Sequence, residues 1–233
     1  MRRALVLGGS GYVGAAVLAG LARQGVPTDF AWHENEARAA ELAARFRCSA
    51  HRLDLRRADE AREFAARLRV TGSVPDVIVH LATHPDWRSL EDIDSQGWDD
   101  VFAVSVRGPF LLIRELSGEL KERGGDLVFV TGMAPLRSVD APPQAASAQA
   151  AVAGLARSLS RSLAPRVRAN VICIGALDGG TAGRVGAAVA ESQRRLSALG
   201  RSGNAEEIAR GILWLALENR YVSGATLPMA GGL

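Results

Sequence analysis

Lysine is almost absent from this chain: of 28 basic side chains, only Lys121 is not arginine. Tyrosine is nearly as scarce, present only at Tyr12 and Tyr221. Chemistry that sets a phenol beside an ammonium group therefore has few places to come from. The two cysteines, Cys48 and Cys173, are too few for a disulfide framework and point to a reducing compartment, the cytoplasm. No block of like charge stands out, and the net charge is only +3. The arginines alternate with Glu and Asp, as in "ENEARAAELAARF" and "DEAREFAARLR". They read as solvated helix faces with i,i+4 partners, which argues against a nucleic-acid footprint. No His or Cys spacing suggests a metal site. No run is long and apolar enough to span a membrane. The opening "MRRALVLGGSGYVGAAVLAGLA" has the arginines and apolar run of a signal peptide, but its glycines break an h-region helix and suit a strand-turn-helix. Without internal repeats or low-complexity linkers, residues 1–233 read as one domain.

What is present is alternation. Apolar runs end in Gly or polar residues at "ALVLGG", "TDFAWH", "SAHRLDL", "DVIVHLA", "DLVFVTG", "VRANVICIG" and "ATLPMAG". Between them lie helical patterns at Tyr12–Gln24, Glu36–Phe46, Asp59–Leu68, Trp98–Arg123, Ala145–Leu163 and Ala205–Glu218. Near-continuous apolar strands separated by amphipathic helices predict an α/β fold. It should be a Rossmann-like, doubly wound parallel sheet of about seven strands with helices on both faces. A ligand would then sit beyond the carboxyl ends of the strands.

One local pattern points to such a ligand. In "LVLGGSGYVGAAV", Gly9, Gly11 and Gly14 fit G-x-G-x-x-G, while Gly8, Gly11 and Gly14 fit G-x-x-G-x-x-G, and the run follows a strand and opens a helix. Glycines let the backbone turn tightly against a pyrophosphate, and the helix N-terminus supplies free N–H groups and a positive dipole. The alternative is a turn kept for packing. The second strand ends in Trp32, His33 and Glu34 rather than in a carboxylate at the usual ribose position, and His33 leans toward NADP over NAD. Asp54, ending "HRLDL", either meets an adenine amino group or caps a turn.

Taken in order, "GGSGYVG", "DVIVHLAT", "WDDVFAVSVRGPFLL", "GGDLVFVTG", "VRANVICIGALD" and "LGRSGNAEEIARGILWLALENRYVSGATLPMAGGL" resemble the short-chain dehydrogenase/reductase (SDR) superfamily over nearly the whole chain. The layout is most similar to bacterial 3-oxoacyl-carrier-protein reductases. The resemblance implies a nicotinamide cofactor touched by Gly8, Ser10, Gly11, Tyr12, Gly14, His33, Asp54, Leu55, Leu81, Ala82 and Gln149. It also implies a substrate lid near residues 176–200 and assembly through the long helices.

The resemblance further implies a tyrosine that donates a proton as hydride arrives and a lysine that lowers its pKa. A serine orients the carbonyl, and an asparagine on the interface helix positions a relay water. Laid onto this chain, those places hold Ala145, Gln149, Gly132 and Ser105 respectively. An alanine has no proton to give, and Gln149 can hydrogen-bond a ribose but cannot depress a phenol pKa. Three functions follow. The chain is a degenerate, non-reducing partner in acyl-carrier-linked fatty-acid or polyketide-type biosynthesis, as a homodimer or homotetramer or paired with an active reductase, with an acyl-carrier protein as a further partner. Or it is a non-redox enzyme for dehydration, isomerisation or cyclisation. There His84, beside Asp86 or Asp140, is the candidate base; otherwise His84 is a loop histidine and His80 a strand-end hydrogen-bonding group. Or it is an NAD(P)H-dependent 3-oxoacyl reductase with another proton donor.

Overall fold

The computed structural model describes residues 2–180, 191 and 194–233. Seven strands form one sheet: β1 (Ala4–Leu7), β2 (Thr28–Trp32), β3 (Ser49–Arg52), β4 (Val77–His80), β5 (Gly125–Thr131), β6 (Val167–Ile174) and β7 (Thr226–Met229). All pair in parallel, in the order β3-β2-β1-β4-β5-β6-β7. The expected fold class is the one observed.

The apolar runs are continuous because both sheet faces are covered. Along β5, Leu127 and Phe129 face one core while Val128 and Val130 face the other. The first core is closed by α3 (Ala58–Val70), α5 (Gly108–Glu115) and α7 (Pro143–Ser162), with Phe64, Leu112 and Val152. The second is closed by α1 (Tyr12–Arg23), α2 (Glu36–Phe46) and α8 (Ala205–Leu213), with Leu21, Leu42 and Ile212. Strand order reverses between β1 and β4, which places the crevice at their carboxyl ends.

Two helices depart from the sequence reading. The span expected as one helix over Trp98–Arg123 is broken into α4 (Ser95–Phe102), a π-helical turn (Ala103–Arg107), α5, and α6 (Ser117–Arg123). The cause is Pro109. It has no N–H to return to the carbonyl of Ser105, and the Gly108 N–H bonds five residues back to Ala103. The last long helix likewise ends in a π-helical turn over Trp214–Glu218. Helix α7 begins with Pro143 in its first turn, ahead of Ala145, because a proline ring suits the position where an N–H would be unpaired. No helix among the described residues is long and apolar enough to cross a membrane.

At the amino edge of the sheet a buried carboxylate joins β5 to β6 and to the residues that lead into β1. Asp126, with a side chain 2% exposed, accepts from Arg168 Nε and Nη2, each at 2.8 Å, and from Arg2. Breaking a fully buried pair costs roughly 3–5 kcal/mol because the partner charge is stranded. Here both arginines keep solvent contact, so Asp126→Ala should cost about 2 kcal/mol, read as a lower urea midpoint at unchanged m-value.

Candidate cofactor cleft

The glycine turn after β1 is built on the absence of side chains. Gly8 has φ +84°, and a β-carbon there would lie 2.7 Å from the Ala82 nitrogen. One on Gly9 would lie 2.7 Å from the Phe30 side chain, and one on Gly14 would collide with the carbonyl oxygens of Gly8 and Gly9. The turn thus lies flush against the loop after β4. Helix α1 starts at Tyr12 with no side-chain cap and no acidic residue in its first turn. Its first N–H groups and the positive end of its dipole face the crevice. This cradle fits a pyrophosphate, and Gly8, Ser10, Gly11, Tyr12, Gly14, Leu81 and Ala82 gather at it. Leu55 does not: it is buried in the first core, its carbonyl packed against Gly108. The Tyr12 hydroxyl donates to Asp178 Oδ1 at 2.5 Å.

On the adenosine side, His33 and Asp54 meet, as their sequence positions suggested. Asp54 Oδ2 lies 3.3 Å from His33 Nε2. Sequence reasoning missed Arg56. The backbone N–H of Arg56 and its Nε donate to Asp54 Oδ1 at 3.0 and 2.9 Å, and Nη2 donates to Oδ2 at 2.8 Å. Arg56 Nη2 also reaches His33 Nε2 at 3.4 Å. The guanidinium hydrogen bonds hold the Asp54 carboxyl down at about 2. The turn-capping role of Asp54 is therefore formed, and its oxygens are already engaged.

The same device recurs after β4. Arg88 donates its N–H and Nε to Asp86 Oδ1 at 3.2 and 3.0 Å and Nη2 to Oδ2 at 2.8 Å, holding that carboxyl at about 2. Both arginines then touch acids of α4 or its cap: Arg56 to Asp100 at 3.8 Å, Arg88 to Asp94 at 3.2 Å. The spacing Asp-x-Arg is the signal that would have exposed both clamps. Asp86 is thus committed to Arg88 rather than to His84, and Asp140 is exposed and forms no hydrogen bond among the described residues. The structure assembles no His84–carboxylate pair among the described residues. Nor do three His, Cys, Asp or Glu side chains gather there in a metal-binding group.

The remaining pocket positions form two contacts. His80, 2% exposed, donates from Nε2 to the Ser105 carbonyl at 3.1 Å, the acceptor that Pro109 leaves free. Its Nδ1 is buried without a partner. Burial holds the imidazole neutral, lowering its pKa to about 4. At the end of β5, Gln149 reaches across from α7, and its Oε1 accepts from the Ala134 N–H at 3.3 Å. A β-carbon built on Gly132 would lie 2.8 Å from Gln149 Cδ and 2.9 Å from Nε2. The amide therefore occupies the space a side chain at 132 would need. Ala145 is half-buried one turn earlier on α7. Of the lid expected at 176–200, residues 181–190, 192 and 193 fall outside the described residues.

A family model described as enoyl-(acyl carrier protein) reductase matches residues 11–233. The chain belongs to the short-chain dehydrogenase/reductase family. Among SDR relatives, the probable galactose dehydrogenase GalD of Rhizobium meliloti is 31% identical over 206 residues, covering 84% of this chain and 75% of the relative. The 3-oxoacyl-(acyl-carrier-protein) reductase FabG of Aquifex aeolicus is 24% identical over 237 residues, covering 98% and 96%. Two solved SDR structures superpose over 99% of this chain. A short-chain dehydrogenase from Burkholderia cenocepacia in complex with NADP has a TM-score of 0.90 at 26% identity, with 97% of it covered. A dehydrogenase/reductase from Sinorhizobium meliloti has a TM-score of 0.89 at 27% identity, with 94% covered. The relatives are oxidoreductases, and the SDR layout here is ketoreductase-like.

Two predictions follow from these contacts. Gly132→Ser should cost about 1 kcal/mol by displacing the Gln149 amide from Ala134, and should cost less in a Gln149→Ala background. Additive losses in a urea-unfolding cycle would mean that the two positions are not coupled. The second concerns pH. The His80 pKa is lower folded than unfolded, so its contribution is full above about 6.5 and is lost as pH falls toward about 4. Wild-type stability should fall by roughly 3 kcal/mol more than that of His80→Leu across this window.

Proposed function

We propose that the chain is a ketoreductase-like SDR protein that binds a nicotinamide dinucleotide, NADP ahead of NAD, without performing the family's tyrosine–lysine carbonyl reduction. It acts as a non-reducing partner in acyl-carrier-linked biosynthesis. The observation that carries this reading is the Gln149 amide lodged against Gly132 and bonded to Ala134, one turn from Ala145. Where the family mechanism needs a proton donor and its activating cation, the pocket holds a methyl group and a neutral amide.

The cofactor, when bound, supplies a hydride. This chain's residues bind and orient it. The Gly8–Gly14 cradle and the N-terminus of α1 take the pyrophosphate, and Arg56 offers its guanidinium, beside the His33 ring, at the ribose. Support for NADP comes from that pair: no side chain at the end of β2 other than the exposed Glu34 presents a competing carboxylate. Support for a non-catalytic role over a changed reaction comes from the acids. Asp54 and Asp86 are clamped by arginine, and His80 is buried and neutral, so none of these three is free to act as an acid or base in the pocket. Support for assembly comes from α4 and α5, whose outer surfaces show Trp98, stacked on Phe102, and Phe110, at 38% and 37% exposure for Trp98 and Phe110. The description of the matching family and the FabG relative both point to acyl-carrier chemistry.

Native mass spectrometry with NADPH or NADH, followed by an NADPH-oxidation assay on a 3-oxoacyl thioester, tests the reading. NADPH should bind about tenfold more tightly than NADH, Arg56→Ala should erase the difference, and no oxidation should follow. Reductase-level turnover by the wild type would sink the non-reducing role. Failure to retain either nucleotide would sink the binding role.

A further inference from the structure

Tyr12 joins two parts of the chain 166 residues apart. Its ring lies against the backbone that leaves β6. A β-carbon on Gly179 would sit 2.7 Å from Tyr12 Cζ and 2.8 Å from Cε2, and one on Gly180, where φ is +74°, would sit 3.0 Å from Tyr12 Cβ. Only glycine permits that approach. The phenol hydroxyl then donates to Asp178 Oδ1 at 2.5 Å. Asp178 is itself fixed: its N–H donates to the Gly203 carbonyl at 3.0 Å, and the Gly203 N–H donates to the Ala176 carbonyl at 2.9 Å. Directly after Gly203, Asn204 and Glu207 close a reciprocal cap at the start of α8. The loop is therefore a held segment, and Tyr12 is its tie to the glycine cradle.

Position and charge give the tie a function. Tyr12 is the first residue of α1, so the contact crosses the helix end that suits a pyrophosphate. That helix has no acid in its own first turn, yet Asp178 brings a carboxylate to it from across the crevice. The hydrogen bond to Asp178, with partial burial, raises the Tyr12 pKa.

We propose that Tyr12 and Asp178 form a clasp across the mouth of the nucleotide cradle, which must part for the dinucleotide to pass in either direction. This rests on the nucleotide-binding reading above. A clasp of this kind slows arrival and departure together, because both wait on the same opening, and leaves the equilibrium affinity nearly unchanged.

The test is stopped-flow measurement of NADPH association and release for the wild type, Tyr12→Phe, Asp178→Ala and the double variant. Each single variant should speed both rates about tenfold, the loss expected for one charge-assisted hydrogen bond. Association and release should rise together in every variant, and the double variant should match the singles, since one contact is removed once. Native mass spectrometry comes first. If no NADPH binds, the nucleotide reading falls and the clasp falls with it. If NADPH binds and the variants keep wild-type rates, or change only one of the two rates, the clasp alone is overturned. Equal global unfolding midpoints across the variants confirm that the comparison is between folded proteins.

Discussion

At the carboxyl end of β1 the backbone of Gly8 lies against that of Ala82, with no room for a methyl group between them. The same crowding recurs where Gly9 meets Phe30 and where Gly14 meets the carbonyls of Gly8 and Gly9. These approaches fix three things together. They seat β1 between β2 and β4, they set the angle at which α1 leaves the sheet, and they leave the first N–H groups of α1 facing the crevice. Side chains there would push α1 away from the sheet and move the crevice wall that the remaining groups are built around.

The opposite wall is set by arginine. The Asp54–Arg56 and Asp86–Arg88 clamps stiffen the loops after β3 and β4, and each passes its charge on to α4 or its cap. The π-helical turn that follows α4 frees the Ser105 carbonyl, and His80 takes it. Two arginine clamps and one strand-end imidazole thus converge on α4 and the π-helical turn after it. In doing so they engage the carboxylates of Asp54 and Asp86 and one ring nitrogen of His80.

How much of this the sequence disclosed depends on distance along the chain. The strands were legible because burial on both faces leaves unbroken apolar runs such as "VIVH" and "LVFV". The glycine turn was legible because its spacing is local. The broken helix was signalled by Pro109, but the strong apolar pattern from Trp98 onward masked it. The Asp-x-Arg clamps are local too, and hide only because such pairs usually read as solvated charge. Other features arise only once the chain is folded. Gly132 and Gln149 read as two separate departures from a family pattern, and the fold makes them one contact. Nothing in the vicinity of Tyr12 announces Asp178.

The scarcity of lysine has a practical side. Lys121 lies exposed on α6, which leads into the amino end of β5, so it sits at the edge of the sheet opposite the glycine cradle. Amine-directed chemistry on side chains therefore has a single address, remote from the crevice. A dye, a surface tether or a cross-linker placed there would hold every molecule in one orientation with the crevice facing outward.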